Sequence, residues 1–262
     1  MYKLKDWINI DNLDWHALSM NTNAVHILSK NIDEINWTTL SKNISLDAIE
    51  LLSNYSWNIN WPCLSMNPFA INILKNNLMM IDWNYLSLNE NAIELLLEHP
   101  DKINWRFLST NKNAIDLLLK NPDKINWELL SLNPNAINLL TQNPHKISWD
   151  YLSENSNAID LLCKNPEKIN WNFLSLNPNA IELLSNNLDK INWDFLSSNP
   201  NAIDILAKNP DKIYWFNLAS NPSIFEIDYH FLKERTNIFA EEMMAKIFHP
   251  SRIMKMLDNN EI

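Results

Sequence analysis

Residues 127–148 read Trp-Glu-Leu-Leu-Ser-Leu-Asn-Pro-Asn-Ala-Ile-Asn-Leu-Leu-Thr-Gln-Asn-Pro-His-Lys-Ile-Ser. Nearly the same stretch recurs along the chain. Ten tryptophans, Trp15, Trp37, Trp61, Trp83, Trp105, Trp127, Trp149, Trp171, Trp193 and Trp215, stand 22 residues apart, with one interval of 24 between Trp37 and Trp61. A fixed period of this length means one small supersecondary unit stacked repeatedly, each copy burying its apolar face against its neighbours.

With Trp127 as position one, two short helices fit the unit. The residue before each Trp is Asp14, Asn36, Asn60, Asp82, Asn104, Asn126, Ser148, Asn170, Asn192 or Tyr214, and all but the last are good N-caps. Trp127 and Leu130 then share the buried side of a first helix. Asn133-Pro134 announces a second helix with proline at its first position, and Ala136, Ile137, Leu139 and Leu140 supply its apolar stripe. Asn143, in the left-handed terminating conformation, and Pro144 are expected to end it.

Asn at position seven occurs in every unit, from Asn21 to Asn221, and reads as a repeated N-cap. The two extra residues of the second unit fall in 43–47, at this junction, where they are expected to lengthen a loop.

A leucine-rich repeat has a compatible period but needs a strand of alternating apolar residues, and position six runs Met20, Lys42, Met66, Leu88, Thr110, Leu132, Glu154, Leu176, Ser198. The pattern therefore predicts an all-α fold: an α-solenoid of either hand with two short helices per 22-residue repeat and terminal caps. Residues 1–14 form an N-terminal cap, 15–220 the tandem repeats, and 221–262 a C-terminal helical cap or docking segment. Layers spaced roughly 8–10 Å apart would make a rod or arc on the order of 90 Å long.

Composition narrows function by exclusion. A formal charge of -10 argues against nucleic acid and anionic membranes, which recruit Lys and Arg. The chain has no glycine, so P-loops and dinucleotide fingerprints are excluded. No apolar run is long enough to span a bilayer and the N-terminal residues lack a signal-peptide core, which predicts a soluble, intracellular, non-secreted protein. Cys63 and Cys163 lie at different points of the repeat and read as reduced thiols.

No catalytic constellation emerges. The six histidines do not recur in phase or pair with Cys at metal-ligand spacing; His16 and His26 are the nearest approach to a zinc pair. Acids at position twelve (Glu50, Glu94, Asp116, Asp160, Glu182, Asp204) and lysines at position twenty (Lys102, Lys124, Lys146, Lys168, Lys190, Lys212) read as a solvated face with inter-unit ion pairs. No enzyme activity, metal, cofactor or small-molecule substrate is indicated. The useful variation is at position two, where Arg106, Glu128, Asp150, Asn172 and Asp194 change while the core beside them does not. These five are the candidate partner-binding surface. The function expected is a scaffold for protein–protein interaction, with a structural spacer as the alternative. Base-by-base RNA reading is disfavoured by the acids in that column.

The unit is nearly intact from Trp171 to Asn192, and the chain closes on Glu-Glu-Met-Met-Ala-Lys-Ile-Phe-His-Pro-Ser-Arg-Ile-Met-Lys, Glu241 to Lys255. Repeat and tail together resemble the short-repeat proteins of unknown function found in giant, mimivirus-like DNA viruses of amoebae and algae. The resemblance implies a viral origin and a place in the host cytoplasm or the virion. It brings no functional residues.

Overall fold

The computed structural model describes residues 2–247 and His249. The end of the expected C-terminal segment, 250–262, lies outside them. The fold is all-α, a repeat of short helices with a single two-stranded sheet.

Each unit holds the two expected helices, Trp127–Leu130 and Ile137–Thr141 in the specimen unit, and also a one-turn 3-10 helix, Pro144–Lys146. Eight of the ten residues preceding the tryptophans accept a backbone N–H as N-caps. Tyr214 does not, as expected, and Ser148, expected to cap, makes no such bond either. The core is a file of fully buried leucines, one from each helix: Leu130 and Leu140 here, Leu152 and Leu162 in the next unit. Ala136, also fully buried, lets the second helix approach the first. The ten repeat tryptophans are half-buried and pack against this core.

Two local expectations are corrected. Asn143 is not left-handed: its φ is -130 and ψ 58. Its side chain ends the helix instead, donating from Nδ2 to the Leu139 carbonyl at 3.0 Å, and Asn121, Asn165 and Asn209 do the same. An amide that supplies its own N–H to an orphan carbonyl makes the glycine-type turn unnecessary. The insertion in the second unit does not lengthen a loop. It fuses the junction and the second helix into one nine-residue helix, Leu46–Asn54, recapped by Ser45 Oγ on the Ala48 N–H at 3.2 Å.

The units are joined by asparagine side chains. Asn133 Oδ1 accepts the Asn135 N–H at 2.9 Å, the expected cap. Its Nδ2 group reaches back into the preceding unit and donates to the carbonyls of Ser109 at 3.1 Å and Asn111 at 2.8 Å. Asn111 does the same to Ser87 and Asn89, and Asn155 to Ser131 and Asn133. Every position-seven Asn is buried, so both amide hydrogens and the oxygen are matched in a site closed to water. Serine at position five adds a second link: Ser131 Oγ donates to the Trp127 carbonyl at 3.0 Å and accepts the Ser148 N–H at 3.0 Å.

The ladder has no free end. Asn21, in the first unit, donates to the carbonyls of Ala219 at 2.9 Å and Asn221 at 2.8 Å in the tenth. Asn23 donates to Pro222 in the pattern by which Asn157 donates to Pro134. Helix Trp15–Leu18 packs on Trp215–Ser220 as successive first helices pack elsewhere. The array is therefore a closed ring of ten units, not a rod or open arc, and the estimated length of stacked layers is its circumference. The segments expected to cap two ends meet at the seam. Strand β1 (Tyr2–Leu4) pairs antiparallel with strand β2 (Phe225–Ile227), with Lys3 opposite Glu226, and the Lys5 N–H donates to the Ile224 carbonyl at 2.9 Å. The helix Tyr229–Ile247 follows β2.

Two predictions follow the geometry of the ladder and the seam. Asn133→Asp keeps the cap acceptor but replaces the amide donor with a carboxylate facing two buried carbonyls, and should cost at least about 2 kcal/mol. Asn135→Asp, in the exposed second ladder, should cost less than about 1 kcal/mol. Urea unfolding of both measures the difference, and equal costs would reduce the ladder to capping. In a chain with Cys63 and Cys163 replaced by Ser, Lys3→Cys with Glu226→Cys should oxidise to an intramolecular disulfide, seen as a faster band on a non-reducing gel; an open array leaves the thiols free.

Candidate functional site

In a closed ring the elements nearest the axis are the closest together. Neighbouring first helices pack directly on one another, from the seventh unit round to the first and between the third and fourth, whereas second helices mainly contact elements of their own unit. The first helices therefore form the inner wall and the second helices the outer one. On a first helix, positions one, four and five face the core, and at 100° per residue positions three and six lie on the opposite side; at the seam Ala17 and Thr39 of this column are nonetheless buried, and Thr39 Oγ1 and Asn217 Nδ2 donate to the His16 and Asp194 carbonyls of the preceding unit at 2.8 Å.

Position three reads Tyr85, Phe107, Leu129, Tyr151, Phe173 and Phe195 through six consecutive units, then Asn217, Ala17, Thr39 and Cys63 through the remaining four. The inner wall thus carries a large apolar crescent on one side and small or polar side chains at the seam. Neighbouring rings touch along the crescent: Tyr85 and Phe107 centroids are 6.3 Å apart, Tyr151 and Phe173 5.8 Å. These side chains keep some contact with solvent, and Tyr85 is 40% exposed.

Of the twenty residues at positions three and six, only Lys42 and Glu154 are charged. They belong to the second and seventh units, five steps apart, and so stand on opposite sides of the ring. Burial raises the Glu154 carboxyl above the usual carboxylate range, with no charged neighbour to offset it. Burial likewise raises the Cys63 thiol, and the nearby positive charge of Lys42 partly opposes the shift.

The position-two residues are exposed in all ten units, Arg106, Glu128, Asp150, Asn172 and Asp194 included. They sit on consecutive first helices, beside the lumen. Two are tied to the next unit: Asp150 Oδ1 accepts from Asn170 Nδ2 at 2.8 Å, and Asn172 Oδ1 from Asn192 Nδ2 at 3.1 Å. At the seam, His16 and Phe216 of this column stack with centroids 6.3 Å apart.

The outer columns do not form the expected ion-pair lattice. Lys146, Lys168 and Lys190 lie over the rings of Trp127, Trp149 and Trp171 at 4.1, 4.4 and 4.6 Å. Lys102, Lys124 and Lys212 meet the aspartate immediately before them. Within the position-twelve column Glu94 pairs, with Lys75 at 3.9 Å rather than with a position-twenty lysine. A lysine stem lying along an indole covers apolar surface and keeps its charge on the ring face, which an ion pair one unit away would give up.

His16 and His26 do not form a metal pair; His26 meets Phe225 edge-on at 5.8 Å. Among the described residues no group of three His, Cys, Asp or Glu could hold a metal ion, and no helix is long and apolar enough to cross a membrane. No protein-family model, curated protein or solved structure matches the chain.

Sequence reasoning singled out the position-two column, which is exposed, and missed the inner wall. The signal for the wall was an apolar residue at position three, on the side of the helix opposite Trp and Leu, where a solvated array would carry polar groups.

The Glu154 shift has a direct consequence. Its folded pKa lies above the unfolded value, so stability is fully present below the ordinary carboxylate range and is lost as pH rises through the raised pKa. Glu154→Gln should therefore melt higher than wild type at neutral pH and no higher in acid. Thermal melts across pH test this, and a variant less stable at neutral pH would show that the carboxylate is favourably bound.

Proposed function

We propose that the chain is a non-enzymatic scaffold that holds a protein partner on the face of the ring formed by the position-two residues. The observation carrying this reading is the contrast within one helix: Leu130 and Ser131 repeat almost without change from unit to unit, while the exposed residue at position two runs through Arg106, Glu128, Asp150, Asn172 and Asp194. A fixed framework with a varied exposed column is how repeat proteins present recognition surfaces. The acids in this column favour a partner with basic groups and oppose nucleic acid. A spacer is less well supported, because a closed ring offers no two ends to hold apart. The viral origin implied by the repeat, in host cytoplasm or virion, belongs to the same proposal.

The test is affinity capture with mass spectrometry, comparing wild type with a variant carrying Arg106→Ala, Glu128→Ala, Asp150→Ala and Asp194→Ala. A partner captured by wild type should be lost or weakened by at least about tenfold in the variant, a change of about 1.4 kcal/mol. A partner retained in full would move the surface elsewhere.

A further inference from the structure

We infer that the helix Tyr229–Ile247 pairs with the same helix of a second copy of this chain, antiparallel about a two-fold axis, and so joins two rings. The inference stands apart from the scaffold reading, because it uses none of the position-two residues. The helix leaves the ring after its first turn. Asp228 Oδ1 accepts the Phe231 N–H at 3.0 Å, Phe231 is half-buried, and Phe231 and Arg235 border a cavity with Tyr2, His26 and Asp47 at the seam. From Leu232 to Lys246 every side chain is exposed, Phe239 at 63%. In water a lone helix gains little from propensity and is stabilised mainly by packing an amphipathic face, and among the described residues nothing covers this one. At about 100° per residue, His230, Glu234, Asn237 and Glu241 make a polar back, while Leu232, Thr236, Phe239 and Met243 recur at steps of four, three and four on the opposite side.

The charges beside this stripe choose its occupant. Arg235 and Glu242 flank it on the same side, seven residues apart. That is about 10 Å along the helix, too far for them to pair with each other. Neither has an ion-pair partner among the described residues; the pair within this helix is His230 with Glu234, on the polar back. A second copy laid antiparallel, with Leu232 beside the copy's Met243 and Thr236 beside its Phe239, brings Arg235 beside the copy's Glu242. The two-fold axis then supplies the reciprocal pair, so the face is complementary to itself. A parallel pairing of the same stripe sets Lys246 against Lys246 and leaves Arg235 beside Ala240. A lipid surface gains nothing from a glutamate on the side it covers, and the net charge of -10 opposes anionic lipid. The flanking charges fix orientation more than strength, and two helices of this length make a small interface, so a Kd on the order of 10 μM is expected.

Sedimentation equilibrium of the full chain is the test. Wild type should pass from monomer to dimer over about 1–200 μM, and Phe239→Asp should weaken association at least about tenfold. Arg235→Glu and Glu242→Arg should each weaken it at least about fivefold, and the two together, which exchange the charges, should restore it to within about twofold of wild type. Orientation is read separately, in chains with Cys63 and Cys163 replaced by Ser. There Leu232→Cys mixed with Met243→Cys should oxidise to a linked dimer on a non-reducing gel that neither variant forms alone. All these side chains are exposed and outside the ring, and thermal melts report that the ring is intact. A chain still monomeric at about 200 μM overturns the inference, and flotation of that monomer with phosphatidylcholine vesicles would assign the face to lipid. A dimer indifferent to Phe239→Asp overturns it, as does one that the double charge exchange fails to restore. Linked dimers from each cysteine variant alone would mark a parallel pair and overturn the stated geometry. Each of these failures leaves capture through the position-two residues where it stood.

Discussion

The amide group of one asparagine per unit is the interaction on which this molecule depends. It satisfies three demands at once: an acceptor for the second helix's first N–H, and two donors for carbonyls left over at the end of the neighbouring first helix. Aspartate, serine or threonine would meet the first demand and none the other two as an amide does. A buried carbonyl without a partner costs about as much as a lost hydrogen bond or more, so each substitution in the ladder exposes two deficits. The leucines supply the larger share of burial, but they are indifferent to register. The amides are what hold each unit at a fixed offset from the last.

A fixed offset repeated without drift has a geometrical result. First helices drawn together by the asparagine and serine hydrogen bonds, with second helices in contact mainly with elements of their own unit, make each unit a wedge. Ten wedges of a tenth of a turn close the circle, and closure removes the open core faces that a linear solenoid must cover. The terminal strands are then free to act as a clasp, with Lys3 and Lys5 both reaching Glu226 across the seam. The extra residues of the second unit do not disturb this, because they enter between Asn43 and Ala48 and leave the Asn43 amide bonded to Ser19 and Asn21.

Much of the fold was legible in the chain. Trp spacing gave the units, Asn and Asp before each Trp gave the first helices, and Asn-Pro gave the second. What stayed hidden was long-range. That Asn21 and Asn221 bond to each other is a contact across nearly the whole chain, and nothing in a 22-residue consensus states the angle between copies. The constancy of Asn at position seven did carry a clue, since a cap alone tolerates Asp, Ser and Thr. The position-two column was found because exposure and variation go together along a helix. The inner wall was missed because apolar residues were assigned to the core by default, and Tyr85 and Phe107 have no core behind them.

Closure also changes what the surface means. On an open solenoid, position three would be one more column along a rod, and its aromatics an unexplained cost in exposed apolar area. In the ring the same column is gathered on the inner side, so that six large apolar side chains from six consecutive units form one arc. The asymmetry of that side is sequence-encoded: the units that bring bulky rings are contiguous, and those that bring Ala17, Thr39 and Asn217 flank the seam. The position-three side chains are not equally placed: Ala17 is buried with the leucine core and Thr39 is buried with its Oγ1 donating to the His16 carbonyl at 2.8 Å, whereas Tyr85 is 40% exposed. The sorting therefore separates a tightly packed seam from an apolar arc that keeps contact with solvent.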